Sequence, residues 1–472
     1  MRAVESLLLV MADGVRPDLL QQAIDRGELP SVAALAGRGG LHTITTSFPS
    51  VTGPAYLPFL MGRHPAQLGM PGLRWYDRSR TANLAIGNAR SYSGIDIWRT
   101  HDDVPADSPT LFELAAPSLA SMSMFSRGAT LGNIGRSLYW MLRSAGPHFR
   151  GDPQAWRRME IHATREFIDR FARQRPRFSM LTLNTPDKFA HRWGTDSPEF
   201  RSALLDVDVA VAQAELVASQ GGWRDKLAIW VVSDHGHSAV HHHDDVHGLL
   251  EQAGHRVIAH PRLRTRNADI ALMIGGNAMG HVYLDPSQRL RRWWPELARK
   301  WESVHDHLVA RPSIDVALVA LSANRTRVTN SRHGSAEVVH DPAAARWSYQ
   351  TIDGDPLELG GSMHDLDSRD AWSATAHSPR PDALVQIAAL APAARSGDIV
   401  LSAAADWDLR ERHESVEHVS THGALLANQM RVPLIVDRPV RTLPRRTTDL
   451  VPSALQLLGI TSSAALDGQS FL

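Results

Sequence analysis

The chain has 472 residues, 43% of them hydrophobic, enough for one large domain or two to three smaller ones. Lys and Arg together number 50, as do Asp and Glu, so there is no general attraction to nucleic acid or an anionic membrane, and any hold on an anion must be built locally. The absence of cysteine excludes disulfides, thiolate metal sites and cysteine nucleophiles, whereas 24 histidines favour nitrogen and oxygen ligation of any metal.

In chain order, Leu7 to Met11 is a short apolar run that ends at Asp13-Gly14, which predicts a buried strand feeding a functional loop. The run is too short for a signal-peptide core, and no stretch of ~20 apolar residues follows to span a membrane, so a cytoplasmic protein is expected. Helices are predicted from Pro17 to Arg26 and from Ser31 to Arg38. Residues 73–150, rich in Arg, Ser, Trp and Tyr without strand periodicity, read as covering material. Met180 to Leu183, before Asn184-Thr185-Pro186-Asp187, and Leu227 to Val232, before Ser233-Asp234-His235-Gly236, read as two further buried strands. Residues 241–380 carry helical patterns, such as Trp293 to Ala310, and loops rich in Asn, Gly and Ser. They read as a cap insert. Val432 to Val436 is a fourth strand.

Apolar strands separated by helices predict an α/β fold: a central, mostly parallel sheet with helices on both faces. The expected division is a core of residues 1–240 and 381–472, with 73–170 partly cap, and an insert of 241–380. Ligands of such sheets bind beyond the carboxyl ends of the strands, where Asp13, Asp187 and Asp234 all fall. One such Asp alone would suit a turn or helix cap. Three with histidines attached point to metal ligation. Asp187 and His191, four apart on a helical turn, share one face. Asp234-His235 and His422 enlarge the set to three Asp and three His, and two divalent ions each take about three or four such ligands. Ions about 4 Å apart clamp the attacking and leaving oxygens of phosphoryl transfer. The stretch Ser47-Phe48-Pro49-Ser50-Val51-Thr52-Gly53-Pro54-Ala55 offers several hydroxyls as the nucleophile.

At these residues the chain resembles the alkaline phosphatase superfamily, and within it the type I phosphodiesterase/nucleotide pyrophosphatase branch. The motifs are Asp13-Gly14-Val15-Arg16-Pro17-Asp18, Pro186-Asp187-Lys188-Phe189-Ala190-His191, Ser233-Asp234-His235-Gly236 and Thr421-His422-Gly423, in that order, followed by the tail Thr448-Asp449-Leu450-Val451-Pro452. The resemblance implies one metal on Asp187, His191 and His422, and a second on Asp13, Asp234, His235 and Thr52. It places the nucleophile ten residues before Gly62, at Thr52, with Ser47 and Thr46 as fallbacks. It implies two divalent ions, zinc favoured, a phosphothreonine intermediate, and a phosphate-ester small molecule or lipid headgroup as partner, not a nucleic-acid polymer. A monoesterase, a phosphoethanolamine transferase or a mutase would use the same intermediate.

One departure stands out. The family's Asn three residues after the nucleophile, which holds a phosphoryl oxygen, is Ala55 here. Lys188, Asn277 and His281 are the candidate substitute donors. A sulfatase is a poor reading, since position 52 is Thr and Leu57 is not basic. Three weaker signals carry bland readings. His241-His242-His243 with His237 and His247 reads as a solvated loop, Met122 to Arg143 as a packed cap helix, and Trp75-Tyr76 as buried packing.

Overall fold

The computed structural model describes residues 4–79, 88–260, 262–410 and 417–472. Its heart is a seven-stranded sheet in the order Leu41–Thr45, Arg431–Val436, Leu227–Val232, Ser6–Ala12, Phe178–Leu183, Ser118–Ser121, Asn133–Ile134. Every strand is parallel to the central Ser6–Ala12 except Arg431–Val436, which pairs antiparallel with both neighbours.

Ser6–Ala12 is buried along its whole length, as a parallel strand covered on both faces must be. Its side chains alternate between two cores. Leu7, Leu9 and Met11 meet Tyr56, Phe59 and Leu450 on one face. Leu8, Val10 and Ala12 meet helices Pro17–Asp25, Pro30–Gly39, Pro153–Gln174 and Pro198–Gln220 on the other. Each of these four helices opens on a proline, whose missing N–H is no loss in the first turn.

The two stretches expected to be covering material hold more strand than their composition suggested. Ser118–Ser121 and Asn133–Ile134 extend one edge of the central sheet. A second sheet of nine strands, antiparallel except for its first pair, runs from Val257–Ile258 to Met363–Leu366 in space, with Ile399–Ala403 in its middle. It therefore reaches past residue 380. Helix Trp294–Val309 packs on it through Leu297, Trp301, Val304 and Leu308. An isolated bridge between Asn277 and His422 links the second sheet's hairpin to the segment that leads into Arg431–Val436, and a bridge between Ser50 and Gly423 ties that segment to the loop after Leu41–Thr45. Among the described residues, no helix is long and apolar enough to cross a membrane.

Candidate metal centre

Strand register brings the acids together. Ala12 pairs with Leu183, and Met11 with Val232, so three adjacent strands end side by side and deliver Asp13, Asp187 and Asp234 to one edge. Arg431–Val436 runs the other way, so its entry lies at that same edge. The preceding segment carries His422, and Ser420–Thr421 pairs there with Ser238–His243. Gly14 turns with φ 73°, and a Cβ on it would lie 2.8 Å from the His237 ring, so glycine is required on both counts.

Asp187 and His191 sit on helix Thr185–Trp193, capped from outside by Glu160. The Glu160 carboxylate accepts from the Asn184 and Thr185 amides at 2.6 and 3.0 Å and from Trp156 Nε1 at 3.3 Å. Asp187 Oδ1 then meets three imidazoles: His237 Nε2 at 2.9 Å, His191 Nε2 at 3.3 Å and His422 Nε2 at 3.6 Å. Backbone carbonyls take the far nitrogens, with His191 Nδ1 2.8 Å from Ser420 O and His422 Nδ1 3.0 Å from Ser50 O. Each Nε2 is thereby left as the nitrogen without a proton, fit to ligate a cation.

Beside this set, His235 Nε2 lies 3.3 Å from Asp13 Oδ1 and 3.5 Å from Asp234 Oδ2. Thr52 Oγ1 lies 3.0 Å from His235 Nε2 and 3.4 Å from Asp13 Oδ1. The His235 and His422 rings stack, centroids 3.6 Å apart, and join the two halves.

The electrostatics call for positive charge. Burial, then the negative charges of Asp234 and Asp187, pushes the Asp13 carboxyl well above the usual range. Asp234 is pushed up to about 7, by burial first and Asp187 second. Asp234 Oδ1 accepts the Gly14 and His235 amides, whereas Oδ2 is buried with no hydrogen-bond partner. Burial would also raise Asp187, but His191, His237 and His422 outweigh it and hold this carboxyl well below the usual range. Burial drives His235 down to about 3, and His237 and His422 below their ordinary value. Crowded carboxylates, an orphaned oxygen and imidazoles kept neutral form a donor set that fits divalent cations. Two groups have ligand atoms mutually within 4.8 Å: Asp187, His235, His237 and His422, and Asp13, Asp234 and His235.

The structure thus gathers Asp13, Thr52, Asp187, His191, Asp234, His235 and His422 in one place. It differs from expectation at His237 and His247, read from sequence as part of a solvated loop. Ser238–His243 does expose His241 and His242, but His237 is buried against Asp187 and His247 is buried on helix Val246–Gln252. For His237, the spacing of three from Asp234, just ahead of a strand, was the available signal. His418 was missed as well; its ring lies 4.1 Å from that of His191.

One substitute donor does not hold. His281 is fully buried, with Nε2 3.0 Å from Pro71 O and Nδ1 accepting the Gly397 amide, so neither nitrogen is left for a phosphate. The Lys188 ammonium lies 4.1 Å from the Trp156 ring centroid, in a cation–π contact. Of the fallback hydroxyls, Thr46 is committed to the Asp234 carbonyl and Ser47 is buried.

Likeness to known proteins points the same way. The sequence pattern of the family described as type I phosphodiesterase / nucleotide pyrophosphatase matches residues 7–425. Human ectonucleotide pyrophosphatase/phosphodiesterase family member 7 is 24% identical over 240 residues, 50% of this chain and 48% of that protein. The chain spans about half the length of the curated relatives it matches. Phosphonoacetate hydrolase from Sinorhizobium meliloti 1021, in complex with phosphonoacetate, shares the fold at a TM-score of 0.57 and 16% identity, covering 97% of this chain and 96% of that one. Murine ectonucleotide pyrophosphatase / phosphodiesterase 5, as an inactive threonine-to-alanine variant in complex with AMP, does so at 0.55 and 17%, covering 99% and 98%.

Proposed function

The chain belongs to the type I phosphodiesterase/nucleotide pyrophosphatase family of the alkaline phosphatase superfamily, and from that premise we propose that it hydrolyses phosphate esters through a covalent intermediate on Thr52. The observation that carries the reading is the position of Thr52 Oγ1, 3.0 Å from His235 Nε2 and 3.4 Å from Asp13 Oδ1. No other hydroxyl of the 46–52 segment is given such partners. The inactivity of the murine relative's threonine-to-alanine variant supports the same role.

Asp187, His191 and His422, with His237 beside them, would hold one divalent ion, and Asp13, Asp234, His235 and Thr52 a second, zinc being the cation this nitrogen–oxygen set suits best. Bound there, divalent ions lower the pKa of a hydroxyl and neutralise developing charge on phosphoryl oxygens. Asp13 and His235 fix the side-chain torsion of Thr52 so that Oγ1 faces the bound ester. Oγ1 attacks phosphorus in line with the leaving oxygen; the Thr52 O–P bond forms as the leaving-group O–P bond breaks. Water then attacks the phosphothreonine and frees Thr52. The substrate is a phosphodiester or nucleotide rather than a polymer, in keeping with AMP in the murine relative.

The test is a panel of aryl phosphate monoesters, aryl phosphate diesters and nucleotides, assayed with zinc. Turnover of diester or nucleotide without any added acceptor alcohol is expected. Release of the aryl leaving group only when an acceptor is present, with the phosphoryl group recovered on that acceptor, would assign the chain to group transfer instead.

A further inference from the structure

Exposed apolar side chains gather on one helix. Between Glu113 and Asp152 the chain, otherwise balanced in charge, has four Arg and no Asp, Glu or Lys. Its Met122 to Arg143 portion reads from sequence as a packed cap helix, but the helix spans Leu138–Phe149 and its apolar residues divide. Trp140 is buried, its ring 5.5 Å from that of His162 on helix Pro153–Gln174. Leu138, Tyr139 and Leu142 face outward, 68%, 54% and 70% exposed.

Spacings of one and four put Leu138, Tyr139, Leu142 and Arg143 on one face. The Arg143 guanidinium lies over the Tyr139 ring, 5.4 Å from its centroid, with Nη1 2.5 Å from the hydroxyl. Arg143 and Arg150 are exposed, and among the described residues neither is ion-paired. A second exposed apolar row, Leu205, Val209 and Leu216, shares helix Pro198–Gln220 with Glu199, Asp206 and Glu215. The second row carries acids and the first only arginines, so only the first complements an anionic surface.

The face begins beside the site. Arg136 Nη1 donates to the Met124 carbonyl at 3.2 Å, and its guanidinium lies 5.6 Å from the ring centroid of Trp98, itself 41% exposed. Met124 abuts Gly53, the residue after Thr52: a Cβ on Gly53 would meet Met124 Sδ at 2.5 Å.

We propose that helix Leu138–Phe149 docks the protein on an anionic lipid bilayer, with Leu138, Tyr139 and Leu142 entering the headgroup layer and Arg143 and Arg150 meeting lipid phosphates. The inference goes beyond the phosphate-ester reading and does not depend on it. It gives local form to an attraction that the net charge of the whole chain cannot supply.

The test is co-sedimentation of the full chain with vesicles of phosphatidylcholine alone and of phosphatidylcholine with phosphatidylserine, about two to one. Binding to the mixed vesicles, weakened by salt, is expected, with little binding to phosphatidylcholine alone. Leu138→Ser combined with Leu142→Ser should lower the partition coefficient by about 10-fold or more, and Arg143→Gln and Arg150→Gln by about 5-fold each. All four side chains are exposed, so the melting temperature and the turnover of a soluble aryl phosphate diester should not change. Leu216→Ser, on the acidic helix, should bind as the parent does. A parent that binds neither vesicle, or binds both alike, overturns the proposal. An equal loss with Leu216→Ser overturns it too. So does self-association of the parent that the Leu138 and Leu142 changes abolish while vesicle binding persists, which would make this face an interface between copies of the chain.

Discussion

Asp234 shows in one side chain what the site is built for. One oxygen is spent on two amides and the other is buried without a partner, next to two more acids. In the metal-free protein this carboxyl holds its proton up to about pH 7, against ~3.9 in an unfolded chain. A group with a raised folded pKa binds more protons folded than unfolded, so its contribution to stability falls as pH rises from about 4 to about 7. Asp234→Asn should remove that slope in metal-free protein and leave it no less stable at pH 8, while abolishing metal uptake at the Asp13 half. A variant that melts earlier than the parent without metal would contradict the charge-crowding account. Thr52 gives the companion prediction: Thr52→Ser keeps the hydroxyl and should retain a good part of turnover, and Thr52→Ala should lose it, both read as kcat on an aryl diester. At this scale much was legible, because Asp13, Asp187 and Asp234 follow apolar runs whose ends could be placed by eye. His418 was not legible, and His237 only through its spacing of three from Asp234. Both join the cluster by contacts at long sequence separation, His237 to Asp187 and His418 to His191, which no local pattern encodes.

Among the elements, helix Thr185–Trp193 carries the demand for precision, since Asp187 and His191 ride on it. Glu160 reaches it from helix Pro153–Gln174 and satisfies two amides at its start. Glu160→Ala leaves those amides without their acceptor and should cost ~1–3 kcal/mol. The same change should weaken metal retention in the Asp187 half, seen as faster loss of metal to a chelator; unaltered loss rates would show that the cap does not position the ligands. Helices Pro17–Asp25, Pro30–Gly39 and Trp294–Val309 lie within a residue or so of their sequence-based bounds, because apolar spacing and prolines mark them. The second sheet was hidden for a physical reason. Arg325–Asn330 and Arg346–Thr351 have partly wet antiparallel faces, so their apolar residues are sparse and interleaved with Arg, Thr and Ser, and charge and turn residues dominate the composition. Ser118–Ser121 is four residues long and reads as loop.

At the scale of the whole molecule, the site lies where the segment entering central strand Arg431–Val436 meets the second sheet, through the Asn277–His422 bridge. Metal bound to ligands from residues 13 to 422 ties together segments that share no local structure. Binding to the folded state alone stabilises it by about 2.7 kcal/mol when free metal is 100 times Kd. Exhaustive chelation should therefore lower Tm as well as activity, and zinc should restore both; a Tm indifferent to chelator would show that the cluster holds no ion in solution. The central claim remains the covalent bond to Thr52. It is tested most directly by mixing metal-loaded protein with an aryl phosphate diester, quenching in acid within a turnover, and mapping the phosphoryl adduct by peptide mass spectrometry. The adduct is predicted on Thr52 and absent after Thr52→Ala. Rapid turnover with Thr52 unmodified, or an adduct on Ser47 or Thr46, would contradict the account.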